Sequence, residues 1–417
     1  MFKVIETFSG IGSQAKALER IGSDFEIVHT AEWDIYSTLA YCLIHRGCID
    51  VEKYANVSDE EIMKFLSNKT LSADGKSEMS KRYFDEITSK GKRLLYTAFK
   101  ETRNLGSITD ISWKDIPEDI DMLTYSFPCQ DLSLCGFWHG NFSGIDRNSG
   151  NRSSLLWEIE RILFEINNHK RRLPKFLVME NVKAILSSRH AKNFGEWKDE
   201  LESLGYINHI YQLNASNFGI PQKRVRVYMI SIFCGEDEAL KETIRDYLKN
   251  HDLNNCDYYH HEKMKLDTIL KTDYTNELYF REAFENTPNN TPSRREIYNV
   301  NTHLIVDGKI QNIDVNTLTT KQDRNPNSGV INFPNDINKK SNFRYLTPRE
   351  CFLLMGFDES DFDKVVNNNF QLTNRKNNMA FKKERLHKMA GNSIVVTVLE
   401  SIFRQLQEID ELYLKQL

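Results

Sequence analysis

Apolar positions in the first half of the chain follow two periods that take turns. Short runs at residues 3–7, 26–31, 121–123 and 175–179 read as strands, each breaking off at a polar or glycine-bearing segment. Between them the spacing becomes helical, through Gln14, Ala17, Leu18 and Ile21, and again through Leu155, Leu156, Ile159, Ile162 and Leu163 behind a serine cap at 153. Residues 206–213 and 225–233 add two strands, joined by 214–224. Strands and helices that alternate in this way predict an α/β sheet covered on both faces.

Two stretches leave this rhythm. Residues 46–105 are charged, with helix-like apolar spacing and no chemical motif, which predicts a helical insertion lying on the surface in a structural role. Residues 235–344 are rich in Asn, Asp, Lys and Thr with short irregular apolar runs, which predicts a second domain. The chain then returns through a helix within 345–357 closed by Gly356, an Asn- and Lys-rich connection, the segment 390–396 and an amphipathic terminal helix.

Composition narrows the function classes. A chain of 417 residues is long for one core, so two domains are expected, and 40% hydrophobic with 27% charged residues is ordinary globular usage. No apolar stretch is long enough for a bilayer, and Met1 leads directly into a strand, so the expected location is the cytoplasm. The seven cysteines, at 42, 48, 129, 135, 234, 256 and 351, form neither a disulfide framework nor paired zinc ligands. A net charge of −4 confines any nucleic-acid binding to a local patch. Residues 294–350, with nine Lys or Arg against six acids, carry such a bias.

Candidate chemistry gathers at the strand ends. Phe8-Ser9-Gly10-Ile11-Gly12 separates strand from helix, and its glycines let backbone amides approach a ligand; a tight β-α turn is the alternative. In Glu32-Trp33-Asp34 an acid stands where nucleotide-binding α/β folds grip ribose hydroxyls, beside an indole that can stack on a purine. Asp110-Ile111 marks a third expected strand end. Thr124-Tyr125-Ser126-Phe127-Pro128-Cys129-Gln130-Asp131-Leu132-Ser133 halts at proline and leaves a thiol on the loop, poised as a nucleophile unless it is a half-buried structural cysteine. Gly136, Gly140, Gly144 and Gly150 follow, a run that reads as a lid because it begins at that thiol. Glu180-Asn181-Val182 ends the next strand.

Taken in order, Phe8 to Gly12, Glu32-Trp33, Pro128-Cys129-Gln130, Glu180-Asn181-Val182, Gln222-Lys223-Arg224-Val225-Arg226, Arg349-Glu350 with Gly356-Phe357, and Gly391-Asn392-Ser393 resemble the motif series of the cytosine carbon-5 DNA methyltransferases. The resemblance spans nearly the whole chain. Its large domain looks most like the CpG enzymes of mollicutes, through 124–133, 155–161 and the helical insertion; this narrower likeness fades after Cys234.

The resemblance implies a Rossmann-like S-adenosylmethionine-dependent domain, residues 1–234 plus 388–417, with a smaller target-recognition domain and hinge at 235–387 inserted into it. It implies that Cys129 adds to carbon 6 of a flipped cytosine while Glu180 serves ring nitrogen 3 and the exocyclic amine. Arg226, with Arg224 beside it, would orient the glutamate and the base, and Val225 would point away. Phe8, Ser9, Gly10, Ile11, Gly12, Glu32, Trp33, Asp110, Ile111, Pro128, Leu155, Asn392 and Ser393 would hold S-adenosylmethionine, with no metal required.

Double-stranded DNA is the implied partner, met by Gln130 and Ser133 on the catalytic loop. Thr317-Leu318-Thr319-Thr320 is similar to the family's recognition signature, and Lys321, Gln322, Arg324 and Asn325 beyond it are candidate base readers. That loop differs from the CpG enzymes, so no CpG target is carried over. The implied role is a monomeric modification enzyme of a restriction-modification system, or a solitary relative. A tRNA cytosine methyltransferase, an inactive DNA-binding relative and a nicotinamide oxidoreductase are rivals. The last leaves Cys129 and Glu180 without a role and lacks the third glycine of a dinucleotide turn.

Overall fold

The computed structural model describes residues 1–128, 145–147, 152–255, 261–337, 339–375 and 378–415. Cys129, Gln130 and Ser133, with most of the glycine-rich run, lie outside the described residues.

Seven strands organise the first 233 residues: β1 Phe2–Thr7, β2 Phe25–Ala31, β3 Met122–Tyr125, β4 Phe176–Val182, β5 Tyr206–Asn214, the two-residue β6 Gln222–Lys223, and β7 Val225–Phe233. Six of them form one sheet in the order β2-β1-β3-β4-β7-β5. The first four are mutually parallel, whereas β7 runs antiparallel to both β4 and β5. Neighbouring residues of a strand serve opposite faces. Val4, Met122, Phe176 and Val178 belong to one buried cluster, and Ile5, Leu123, Leu177 and Met179 to another. Both faces are therefore covered, as the alternation of strands and helices predicts. The helices Ser13–Arg20 and Val396–Ile409 share the first cluster, so the chain's last helix closes on its first.

Four sequence expectations are corrected. The insertion is not a surface appendage: Ile62, Leu66, Leu71, Leu94, Leu95 and Phe99 join the same cluster as Val4, because its charges occupy only the outer side of amphipathic helices such as Ser89–Glu101. Asp110 ends no strand. Residues Ile108–Asp110 form a 3-10 turn, and the third strand is Met122–Tyr125. The α-helix expected from Ser153 begins at Leu156 after a 3-10 turn, Arg152–Leu155, and Ser153 Oγ instead donates to the Pro128 carbonyl at 2.7 Å. The helix within 345–357 covers only Pro348–Leu353, with Gly356 in the left-handed region (φ +87°) just beyond it.

Residues after Cys234 contribute helices, including Glu238–Asn250 and Glu277–Glu285, and short strands. The strand Val315–Asn316 pairs in parallel with β6 in a separate two-stranded ladder, which brings Thr317–Thr320 beside the segment that leads into β7. Arg344 and Glu350, both fully buried, form a two-pronged ion pair at 2.8 Å ahead of the helix Pro348–Leu353.

Candidate active site

The carboxyl ends of β1, β2, β3 and β4 open on one cavity of about 840 Å³. Phe8, Ser9, Gly10, Ile11, Glu32, Trp33, Pro128, Leu155, Glu180, Arg224, Arg226, Asn392 and Ser393 all line it, so thirteen of the predicted side chains meet although they span nearly the full sequence.

The first wall is the turn after β1. Phe8 and Gly10 adopt positive φ (54° and 55°), and the space where Gly10 would carry a Cβ is open. Glu32 accepts from Gly10 N–H at 2.9 Å and from Asp34 N–H at 2.8 Å, which ties the glycine turn to the end of β2. Burial, with Asp34 adding repulsion, pushes the Glu32 carboxyl up to about 7. Gly12 does not line the cavity. Its place beneath the turn is forced by close approach, since a Cβ would fall 2.1 Å from His45 Nε2 and 2.7 Å from the Tyr41 ring. Below it, Ala15 N–H donates to Glu6 at 2.8 Å and the Tyr41 hydroxyl donates to the same carboxylate.

Asp110 and Ile111 are also displaced from their expected role. The residues of that segment at the cavity are Gly106, Ser107, Ile108 and Thr109. Asp110 instead accepts from Thr70 N–H (2.8 Å) and Thr70 Oγ1 (2.9 Å), anchoring the insertion. Asn104, which sequence reasoning passed over, accepts from the Glu32 and Gly106 amides at 3.0 and 2.9 Å and donates to the Glu32 carbonyl at 2.9 Å. The Asn104-Leu105-Gly106-Ser107 turn composition was the available signal.

The second half of the cavity is polar and charged. Arg226 faces Val182 across the β4–β7 ladder, which places it on the same side of the sheet as Glu180, one rung away. Its Nε stands 3.4 Å from Glu180 Oε1. Burial raises the Glu180 carboxyl, and the guanidinium groups of Arg226 and Arg224 pull it back. Val225 alternates outward and is exposed. Asn181 donates to the Phe127 carbonyl at 3.2 Å, holding the backbone two residues before Cys129.

Arg224 plays a different part from its neighbour. It is buried, and its guanidinium donates to the carbonyls of Leu318, Gly391 and Ser393, each at 3.0 Å. Gln222, another residue without an assigned role in the sequence, donates to the Leu354 carbonyl and accepts from Leu318 N–H, both at 2.8 Å. Of the candidate base readers, Lys321, Arg324 and Asn325 are exposed. Gln322 is not available as one: it is buried, with its amide donating to the Thr319 carbonyl at 3.1 Å. Arg324 lines a second cavity, of about 490 Å³, together with Arg294, Asp323, Lys340 and Lys383. Among the described residues no cluster of His, Cys, Asp and Glu could hold a metal ion, and no helix is long and apolar enough to cross a membrane.

Sheet, glycine turn and cavity define the class, an α/β methyltransferase fold. The chain is similar in fold to the Dnmt2 methyltransferase of S. pombe (TM-score 0.58, 17% identity, 98% of this chain and 99% of that one) and to the Entamoeba histolytica methyltransferase EhMeth (TM-score 0.55, 17% identity, 98% of each). Within that class it belongs to the C-5 cytosine-specific DNA methylase family, whose model matches residues 69–408. Among its relatives, the orphan methyltransferase M.SssI of Spiroplasma monobiae is 37% identical over 406 residues, 96% of each chain. The type II methyltransferase M2.ScrFI of Lactococcus lactis subsp. cremoris is 33% identical over 407 residues, 97% of this chain and 99% of the relative.

Proposed function

We infer that this chain methylates carbon 5 of a cytosine within a short sequence of double-stranded DNA. The observation that carries this reading is the Glu180–Arg226 pair, which faces the same cavity as Gly10, Glu32, Trp33 and Pro128. S-adenosylmethionine fits the other end. Glu32 offers a carboxylate for ribose hydroxyls, Trp33 a flat apolar face, and Gly10 open space beside backbone amides. When bound it supplies an already activated methyl group, so the reaction calls for no metal.

Residues of the chain handle the base. Cytosine carbon 5 is a weak nucleophile, and addition of the Cys129 thiolate at carbon 6 makes it an enamine. Glu180, raised by burial, holds a proton for ring nitrogen 3, and Arg226 fixes the carboxyl's orientation and limits how far its pKa rises. Loss of the carbon 5 proton and departure of the thiolate restore the aromatic ring. A target inside a duplex is out of reach of the cavity, so the base must be extruded. Lys321, Arg324 and Asn325 would meet the duplex, and their exposure beside Thr317–Thr320 supports this. The division into a catalytic part, 1–234 with 388–417, and a recognition part, 235–387, follows from this assignment. A role beside a restriction nuclease extends the same reading, and the relative M2.ScrFI is named a type II methyltransferase.

Base-resolution cytosine mapping of DNA from a methylation-free host expressing the chain tests it, with Cys129→Ala as control. One short motif methylated only by the intact protein is expected. Unmethylated DNA alongside methylated tRNA would replace the DNA substrate with RNA.

A further inference from the structure

The insertion supplies a wall of the cavity that no family motif accounts for. Ala73, Asp74, Gly75, Lys76, Ser77 and Glu78 line it. They are stitched to the end of β2 by backbone: Ser72 N–H donates to the Trp33 carbonyl at 2.8 Å, and Ile35 N–H to the Ser72 carbonyl at 3.0 Å. The turn is rigid within itself. Asp74 Oδ1 accepts from the amides of Lys76 and Ser77 at 2.8 and 2.9 Å, and Ser72 Oγ donates to the Ser77 carbonyl at 2.6 Å.

A third segment bolts this turn in place. Lys388 Nζ donates to Asp34 Oδ2 at 3.0 Å and also to the Asp74 carbonyl. Gly75, at φ +63°, lies directly on that ion pair: a Cβ there would stand 2.7 Å from Lys388 Nζ and 2.8 Å from Asp34 Oδ2. Lys388 is four residues before Asn392 on the helix Lys383–Asn392, so both belong to one face, and both line the cavity. One ammonium thus joins the strand end carrying Glu32 and Trp33, the insertion turn and the segment carrying Asn392.

We propose that the turn 73–78 is the outer wall of the S-adenosylmethionine site and that Lys388 is the positioning residue that latches it over Glu32 and Trp33. The proposal rests on the cofactor reading above and extends it to residues outside the motif series. A wall of this kind slows cofactor departure, because the latch must open before the ligand can leave past the turn.

Two measurements on the full-length chain test it. Hydrogen exchange with and without S-adenosylhomocysteine should show amides of 72–79 gaining protection on binding. Calorimetric titration of the same ligand should give an affinity about tenfold weaker for Lys388→Met and Gly75→Val, with Lys388→Arg restoring most of it. KM for S-adenosylmethionine should rise in Lys388→Met by a larger factor than kcat falls. Binding to the wild-type chain with no change in exchange at 72–79, or an unaltered affinity in Lys388→Met, overturns the proposal while leaving the cofactor reading intact. A wild-type chain that binds no S-adenosylhomocysteine overturns the cofactor reading itself.

Discussion

Arg224 and Gly391, 167 residues apart, are joined by a 3.0 Å hydrogen bond from guanidinium to carbonyl. The same guanidinium reaches Leu318 and Ser393, so one buried cation ties the start of β7 to the segment 317–320 and to the segment 391–393. The fit is close: a Cβ on Gly391 would fall 2.6 Å from Thr320 N. Arg226, two residues on, is half-buried and aimed at Glu180.

These environments separate structural from chemical loss. Replacing Arg224 with Ala removes three charge-assisted bonds and should cost about 3 kcal/mol, whereas Arg226→Ala should cost less than about 1 kcal/mol. Urea unfolding of both variants measures the difference. Equal costs would show that Arg224 is not the clamp its geometry describes.

Glu180→Gln should slow methyl transfer by at least about a hundredfold while DNA still binds, since the amide cannot release and recover a proton. Arg226→Met removes the nearest cation, so the Glu180 carboxyl should rise further and the pH limb governed by it should move to higher pH. Single-turnover rates across pH report the limb, and movement toward acid contradicts the pairing.

On the proposed cofactor reading, Glu32 should make cofactor affinity sensitive to pH. Free of ligand, its carboxyl is pushed up to about 7, and accepting ribose hydroxyls favours the ionised form. Binding below pH 7 must therefore expel a proton, and affinity should fall about tenfold per pH unit there, levelling off above pH 7. Titration calorimetry from pH 5.5 to 8.5 should show this slope in the wild type, and Glu32→Gln should flatten it.

On the proposed reading of residues 321–325, exposure should decide which of them meets DNA. Arg324→Ala should weaken DNA binding and lower the magnitude of the salt slope by about 1, as loss of one phosphate contact does. Gln322→Ala should leave that slope alone and lower stability instead, because its buried amide holds the Thr319 carbonyl. Fluorescence anisotropy at several salt concentrations distinguishes the two.

Strand positions were readable from sequence because buried strands announce themselves by apolar density, although β4 runs past the apolar stretch 175–179 through Glu180 to Val182. Residues brought together by packing were not. The cavity-lining Ser107 and Ile108 sit in a turn without apolar period, three residues before the Asp110-Ile111 pair that drew attention. Gln322 has the side chain of a base reader, and only its burial rules that out. The insertion looked superficial because charge dominates its composition, while the residues from Ala73 to Ser77 that reach the cavity carry no periodic signal.

The reversed direction of β7 governs how the chain is routed. Had β7 been parallel to β4, Arg226 would open it at the far rim of the sheet, away from Glu180; running backward, it begins beside Val182 and ends beside Phe176. The polypeptide then departs from the rim opposite the cavity and is recaptured at Val315, where it pairs with β6. Between these two moorings lie helices and short strands, an excursion whose two ends are fixed. Changes in its exposed turns leave untouched the antiparallel ladder that holds Arg226 beside Val182 and the parallel pair that holds Val315 beside Gln222, so the two ends keep their places whatever those turns carry.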